Sequence, residues 1–400
     1  MQNVFEEELQ RSTIFQDRNV LSPHYVPDHL PHREQEITRI MKTLAPALSQ
    51  KRPNNLFVYG KTGTGKTSSL KHVLEKLEEV KAKYSTPVDY VYVNCHTHNT
   101  KYQVLIKIAE KLKPGEDFRG YQPTHLHDLL LKEISRKKMF FFVVLDEVDK
   151  VKDLNELMYL LTRANDELPS SCHVGVIGIS NNLTFKEKLD ARAKSTLCQE
   201  EMVFDPYDAK QLVAILGERV EKGFRKGAVD DKAVAIAAAF SAQDQGDARY
   251  ALRLLIKAGE LADANGGKLR EEEVRAARSA VEEDIVLDAI QGLNDQLTFV
   301  LYAIAELTQN GGSRYGRLQE PTGEVNLYSG EVYEKYESVT KKFGKQPKSA
   351  RWYREYLNDL ETMGLITTTM SGPGTRGQTL CIKLQFPADK VTGAVKKRFE

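Results

Sequence analysis

The first half of the chain is marked by five apolar runs, at residues 56–59, 88–94, 140–145, 174–180 and 201–204, separated by stretches with apolar residues at helical spacing. The run 140–145 is apolar without a break, as expected of a parallel strand buried on both faces, and the other runs are strand-like. Their alternation with helical segments predicts a parallel sheet covered by helices. Pro206-Tyr207-Asp208 interrupts this pattern, and from there to about residue 283 the chain is rich in Ala, Leu and charge with no strand-like run. That predicts a small helical domain with helices starting near Asp208, Asp230, Gly246 and Arg270. Further helical segments follow, then two strand-like runs around the Gly/Pro turn 372–377, which predict a β-hairpin. The expected division is therefore 1–205, 206–283 and 284–400.

Chemistry enters after the first run. Gly60-Lys61-Thr62-Gly63-Thr64-Gly65-Lys66-Thr67, followed by Ser68, lies between a predicted strand and a predicted helix. Glycines there let backbone N–H groups converge on phosphates, the helix start adds its positive dipole end, Lys66 reaches the β- and γ-phosphates, and Thr67 ligates Mg²⁺. The run 140–145 ends in Asp146-Glu147, two carboxylates at the C-terminal end of a buried strand. Asp146 is expected to hold Mg²⁺ and Glu147 to orient the attacking water. A solvated acidic turn after a core strand is the plainer reading of that pair. Beside the glycine-rich loop, ATP or ADP with Mg²⁺ is the stronger one.

Composition narrows the setting. A length of 400 residues suggests two to three domains, and four scattered cysteines without metal or disulfide spacing fit a reducing compartment. No signal-like or membrane-spanning segment is visible, so a cytoplasmic, nucleoid-associated protein without a membrane partner is expected. The net charge of +1 gives no global nucleic-acid signature, which leaves local patches to carry one.

A sheet domain with this loop, followed by a helical lid, resembles the AAA+ ATPases. That resemblance implies a polar sensor at Asn181 (Asn182 is its neighbour), a finger arginine at Arg192 serving an adjacent subunit, and a lid arginine, Arg249, in Gly246-Asp247-Ala248-Arg249. Ala191 stands where such proteins often carry proline. The segment Leu21-Ser22-Pro23-His24-Tyr25-Val26-Pro27 with Pro31-His32-Arg33-Glu34, the phrase Gly178-Ile179-Ser180-Asn181-Asn182-Leu183 and the Gly246 phrase together narrow the likeness. They resemble the archaeal replication initiators of the origin recognition complex and cell-division-control family, over essentially the whole chain. The resemblance implies that Tyr25, Val26, Pro27, His32 and Arg33 contact base and ribose, with Tyr207 completing the nucleotide site. It also implies a DNA-contacting insertion at about 95–125, where Lys101, Lys111, Lys113, Arg119 and Tyr121 reach the duplex; a plain connecting helix with solvated lysines is the alternative. Origin DNA, the replicative helicase and further initiator subunits are the implied partners.

The third block carries its own nucleic-acid signal. Between Lys341 and Arg354 six basic residues occur with no Asp or Glu among them, including Lys348, Arg351 and Arg354. A helix capped by Ser349 would bury Tyr353, Leu357, Leu360 and Met363 on one face and present Arg351, Arg354 and Asn358 on another. With the hairpin and its Arg376, the pattern resembles a winged helix, with its helix in the major groove and its wing in the minor groove. The expected fold is an α/β P-loop AAA+ domain, a helical lid and a winged helix. The expected activity is slow ATP hydrolysis acting as a switch. A clamp-loader-like or general remodelling ATPase without origin specificity, and a DNA-binding regulator holding ADP structurally, are the competing readings.

Overall fold

The computed structural model describes residues 13–23, 25–182, 185, 189–196, 199–311, 327–370 and 379–399. The chain divides into two compact units, 1–274 and 275–400.

In the first unit, β1 (Asn55–Tyr59), β2 (Val88–Asn94), β3 (Phe140–Asp146), β4 (His173–Ser180) and β5 (Gln199–Val203) form one parallel sheet in the order β2-β3-β4-β1-β5. Strand β3, held between β2 and β4, shows why its run is unbroken. Phe141, Val143 and Leu145 of β3 enter one core, while Phe140, Phe142 and Val144 enter the core on the opposite face. The first core is covered by α4 (Lys101–Leu112), α5 (Pro123–Lys137) and α6 (Leu154–Glu167); the second by α2 (Glu34–Leu44) and α3 (Lys66–Tyr84). A short helix, α7 (Ala191–Thr196), precedes β5.

The lid is built from α8 (Ala209–Gly223), α9 (Asp231–Asp244) and α10 (Ala248–Ala264). Each start is set by an aspartate accepting backbone N–H groups: Asp208 with Gln211 in a capping box, Asp230, and Asp247 on Arg249 and Tyr250. One departure from the expected division concerns the N-terminal segment. Residues 13–21, including α1 (Arg18–Leu21), pack on the lid: Phe15 pairs with Phe224, and Arg225 N–H donates to the Ile14 carbonyl at 2.8 Å.

In the second unit, which begins within α11 (Glu271–Gln291), α12 (Asp295–Gln309) is buried centrally, its Phe299, Val300, Tyr302 and Ile304 sealed from solvent. Around it lie α13 (Ser329–Lys342), α14 (Ala350–Thr362) and α15 (Ala388–Phe399), with an antiparallel sheet of β6 (Leu327–Tyr328), β7 (Ile366–Met370) and β8 (Leu380–Leu384) in the order β6-β8-β7. The expected hairpin is present as β7 and β8. Strand β6 and helix α15 had no counterpart in the sequence reading. Two details of α14 differ from expectation. Ser349 has the extended backbone of a cap but makes no side-chain cap hydrogen bond, and Met363, just beyond the helix, is 49% exposed, with Leu365 buried instead.

Candidate nucleotide-binding cleft and nucleic-acid surfaces

β1 feeds the glycine-rich loop into α3. Gly63 and Gly65 take positive φ, +69° and +89°, and neither has room for a side chain: a Cβ would lie 1.6 Å from Asp247 Oδ1 and 2.5 Å from the Tyr207 hydroxyl respectively. Lys66 is buried and donates to the carbonyls of Gly60 at 2.8 Å and Lys61 at 2.6 Å. Burial, with Arg249 nearby, pushes its pKa down to about 8. Thr67 Oγ1 donates to Asp146 Oδ2 at 3.1 Å, and the Tyr92 hydroxyl donates to the same oxygen. Glu147 follows in the left-handed region at φ +56°, its Oε2 3.6 Å from His96 Nδ1. Ser180 Oγ donates to Asp149 Oδ1 at 2.7 Å, tying the end of β4 to the turn after β3 and setting Asn181 beside the carboxylates.

These groups line one cleft. Thr62, Gly63, Thr64, Gly65, Lys66, Thr67 and Ser68 of the loop line it together with Asp146, Glu147 and Asn181 and with Tyr25, Pro27 and Tyr207. The lid contributes Glu218 and Arg219 of α8 and Ala248, Arg249 and Leu252 of α10 to the lining. Backbone donors, an ammonium and a hydroxyl–carboxylate pair of hard oxygen donors fit a nucleoside polyphosphate with a divalent cation. Asn181 rather than Asn182 borders the cleft.

Four residues expected at the nucleotide are placed otherwise. Gly60, Val26 and His32 do not line the cleft, and His32 is exposed at a left-handed turn. Arg33 is 4% exposed, and its guanidinium donates to backbone carbonyls and to Tyr207 instead of facing a base. Arg219, which the sequence reading missed, ties Tyr25 to the lid: it donates to the carbonyls of Val20 at 3.0 Å and Tyr25 at 3.3 Å and lies 4.7 Å over the Tyr25 ring. No local pattern pairs positions nearly two hundred residues apart. Arg192 does not line this cleft; it is 80% exposed and 3.6 Å from Asp190.

The two candidate DNA surfaces differ. In the insertion every expected cation has an acidic neighbour: Lys101 with Glu156, Lys111 with Asp89 at 3.2 Å, Lys113 with Glu116 at 3.3 Å and Arg119 with Asp117 at 2.7 Å. Lys101 is turned onto α6 and departs most from a surface role. Tyr121 is 40% exposed, edge-on to Phe118 and His125. Lys348, just before α14, and Arg351, Arg354 and Asn358 on it are exposed, and neither arginine has an ion pair among the described residues. Tyr353, Leu357 and Leu360 bury the opposite face. Arg376 lies outside the described residues.

Three family models match the chain: an AAA domain over 49–184, a Cdc6 AAA+ ATPase-type lid domain over 213–279, and a CDC6 C-terminal winged helix domain over 288–394. The ORC1-type DNA replication protein of Pyrococcus horikoshii is 38% identical over 398 residues, covering 98% of this chain and 92% of that protein. The chain belongs to the ORC1/Cdc6 family of replication initiators. Within this family the ORC1-type DNA replication protein 1 of Sulfurisphaera tokodaii is likewise 38% identical, over 98% of this chain and 95% of its own. Among solved structures the Aeropyrum pernix ORC1 protein in complex with DNA superposes with a TM-score of 0.79 at 36% identity, covering 96% of this chain and 97% of that one. Cdc6p from Pyrobaculum aerophilum shares the fold, with a TM-score of 0.60 at 23% identity over 97% and 99% of the two chains. This ORC1/Cdc6 chain is thus an AAA+ ATPase-type protein with a Cdc6 lid and winged helix. Among its described residues no helix is long and apolar enough to cross a membrane.

Proposed function

We propose that this protein is an ATP-dependent initiator that binds origin duplex DNA, is switched by ATP and ADP, and helps to recruit or load the replicative helicase. Lys66 and the loop N–H groups bind the phosphates, and Tyr25 and Pro27 flank the base. Thr67 and Asp146 would hold a divalent cation, which would supply positive charge to the phosphates. Glu147 orients water, while Asn181 and Arg249 respond to the γ-phosphate. Arg192, outside its own cleft, serves a neighbouring initiator subunit, so hydrolysis by the isolated chain is expected to be slow.

The observation that carries the DNA part of this reading is the exposed face of α14, where Arg351 and Arg354 stand without ion pairs among the described residues. Cations not already neutralised by carboxylates release counterions when they meet phosphate. The related Aeropyrum pernix ORC1 protein, solved in complex with DNA, supports it. The wing with Arg376 and the insertion with Lys101, Lys111, Lys113, Arg119 and Tyr121 are assigned supporting contacts, the insertion contributing less because its cations are paired.

The test is fluorescence anisotropy on a duplex spanning the host's origin repeats and on a scrambled duplex of equal length, with ATP, ADP or neither. Wild type should prefer the origin duplex, with affinity that depends on the nucleotide. Arg351→Ala/Arg354→Ala should lose the preference while keeping weak salt-dependent binding. Equal weak binding of both duplexes in all states would favour a remodelling ATPase without origin specificity.

A further inference from the structure

The internal bonds of Arg33 lead away from the base and toward the lid. Its Nε donates to the Thr64 carbonyl at 2.9 Å and contacts the Tyr207 hydroxyl at 3.1 Å, while Nη2 donates to the Asp205 carbonyl at 2.5 Å. Nη1 pairs with Glu36 at 2.8 Å, and the guanidinium lies 4.1 Å over the Tyr207 ring and 5.2 Å from the Phe204 ring. One buried cation therefore joins the phosphate loop to the link between β5 and α8. From that link the bonds run on: Tyr207 N–H donates to the Gly246 carbonyl at 3.3 Å, Asp247 caps α10, and Ala248 N–H donates to the Gly63 carbonyl at 3.3 Å. Gly246, at φ +66°, has no space for a Cβ, which would lie 2.5 Å from the Tyr207 carbonyl. The path closes on the phosphate loop, one residue from where it began.

We propose that Arg33 is a positioning residue that couples the phosphate loop to the lid helix bearing Arg249, and so sets how strongly the site distinguishes ATP from ADP. This rests on the nucleotide reading above. Held by Arg33, the Thr64 peptide is fixed in orientation, and so is the N–H of Gly65 that follows it in the loop. Only a planar fork satisfies carbonyls on two segments and stacks on an aromatic ring at once; a lysine keeps the charge and loses that geometry.

The experiment compares wild type with Arg33→Lys, Arg33→Met and Tyr207→Phe. It measures affinities for ATP, ADP, AMP and GTP by displacement of a fluorescent nucleotide, and Tm without nucleotide. Arg33→Lys is expected to bind AMP within about twofold of wild type, to lose about tenfold for ADP and more for ATP, and to keep the ATP-over-GTP preference. Tyr207→Phe should shift the same way by less, since it removes one bond. Should Arg33→Met fail to fold, the other two variants still decide. Equal losses for AMP, ADP and ATP with a lowered Tm would overturn the proposal in favour of a purely structural role. Collapse of the ATP-over-GTP preference would overturn it in favour of base contact, and unchanged affinities would show the brace to be dispensable. A wild-type protein that bound no ATP would instead overturn the nucleotide reading and this proposal with it.

Discussion

Thr67 Oγ1 and Asp146 Oδ2, 79 residues apart in sequence, meet at 3.1 Å where α3 begins and β3 ends. Asp146→Asn keeps the shape of this pair and an acceptor for the Thr67 and Tyr92 hydroxyls while removing the charge a divalent cation needs. Its nucleotide affinity should fall about tenfold in Mg²⁺ and become nearly insensitive to EDTA. The check is a Mg²⁺ titration of nucleotide binding. A wild-type Mg²⁺ dependence in the variant would place the cation elsewhere.

Glu147 holds φ +56°, a conformation that costs an L side chain about 1 kcal/mol and glycine almost nothing. Glu147→Gly should therefore match or exceed Glu147→Gln in Tm, by roughly 1–2 °C after the entropy glycine loses on folding. Both should abolish steady-state hydrolysis while still binding ATP. The strain account fails if differential scanning calorimetry finds the glycine variant less stable than the glutamine one.

Lys66, with its pKa pushed down to about 8, gives the pH dependence. Above that pH the folded protein releases a proton that the unfolded chain keeps until about 10.5, so through this group stability rises with pH across the window. Bound phosphates restore the ammonium, so ATP binding should take up protons at pH 8.5 and weaken as pH rises from 8 to 9. Calorimetric titration in two buffers of different ionisation enthalpy measures the uptake. No uptake at pH 8.5 would contradict the assignment of Lys66 to the phosphates.

What could be read before the fold was known follows the range of the interactions involved. The strands of the sheet show because both faces of β3 are buried, and the lid helices show because Asp208, Asp230 and Asp247 cap them within a few residues. The phosphate loop is also local, strand to turn to helix. Arg33 and Arg219 were not legible in this way. A basic side chain has the same sequence signature whether it faces a base or the carbonyls of Thr64 and Tyr25 across the fold. Strand β6 is only two residues long and exists through its pairing with Cys381 and Ile382, so it has no periodicity of its own. The pairing of Lys101 and Lys111 in the insertion is hidden for the same reason, because their partners Glu156 and Asp89 come from neighbouring elements.

That difference in pairing leads to a prediction that separates the two DNA surfaces. Neither Arg351 nor Arg354 has an ion pair to break among the described residues, so each phosphate it meets releases a counterion without compensation. Arg351→Ala/Arg354→Ala should flatten the plot of log affinity against log salt by about 1.8, roughly 0.9 for each phosphate no longer neutralised. Arg119 must first leave Asp117, which sits 2.7 Å from it, so Arg119→Ala should change the slope by well under one. Anisotropy titrations from low to physiological salt measure both slopes. A larger change for Arg119→Ala than for the α14 double variant would move the main DNA contact to the insertion.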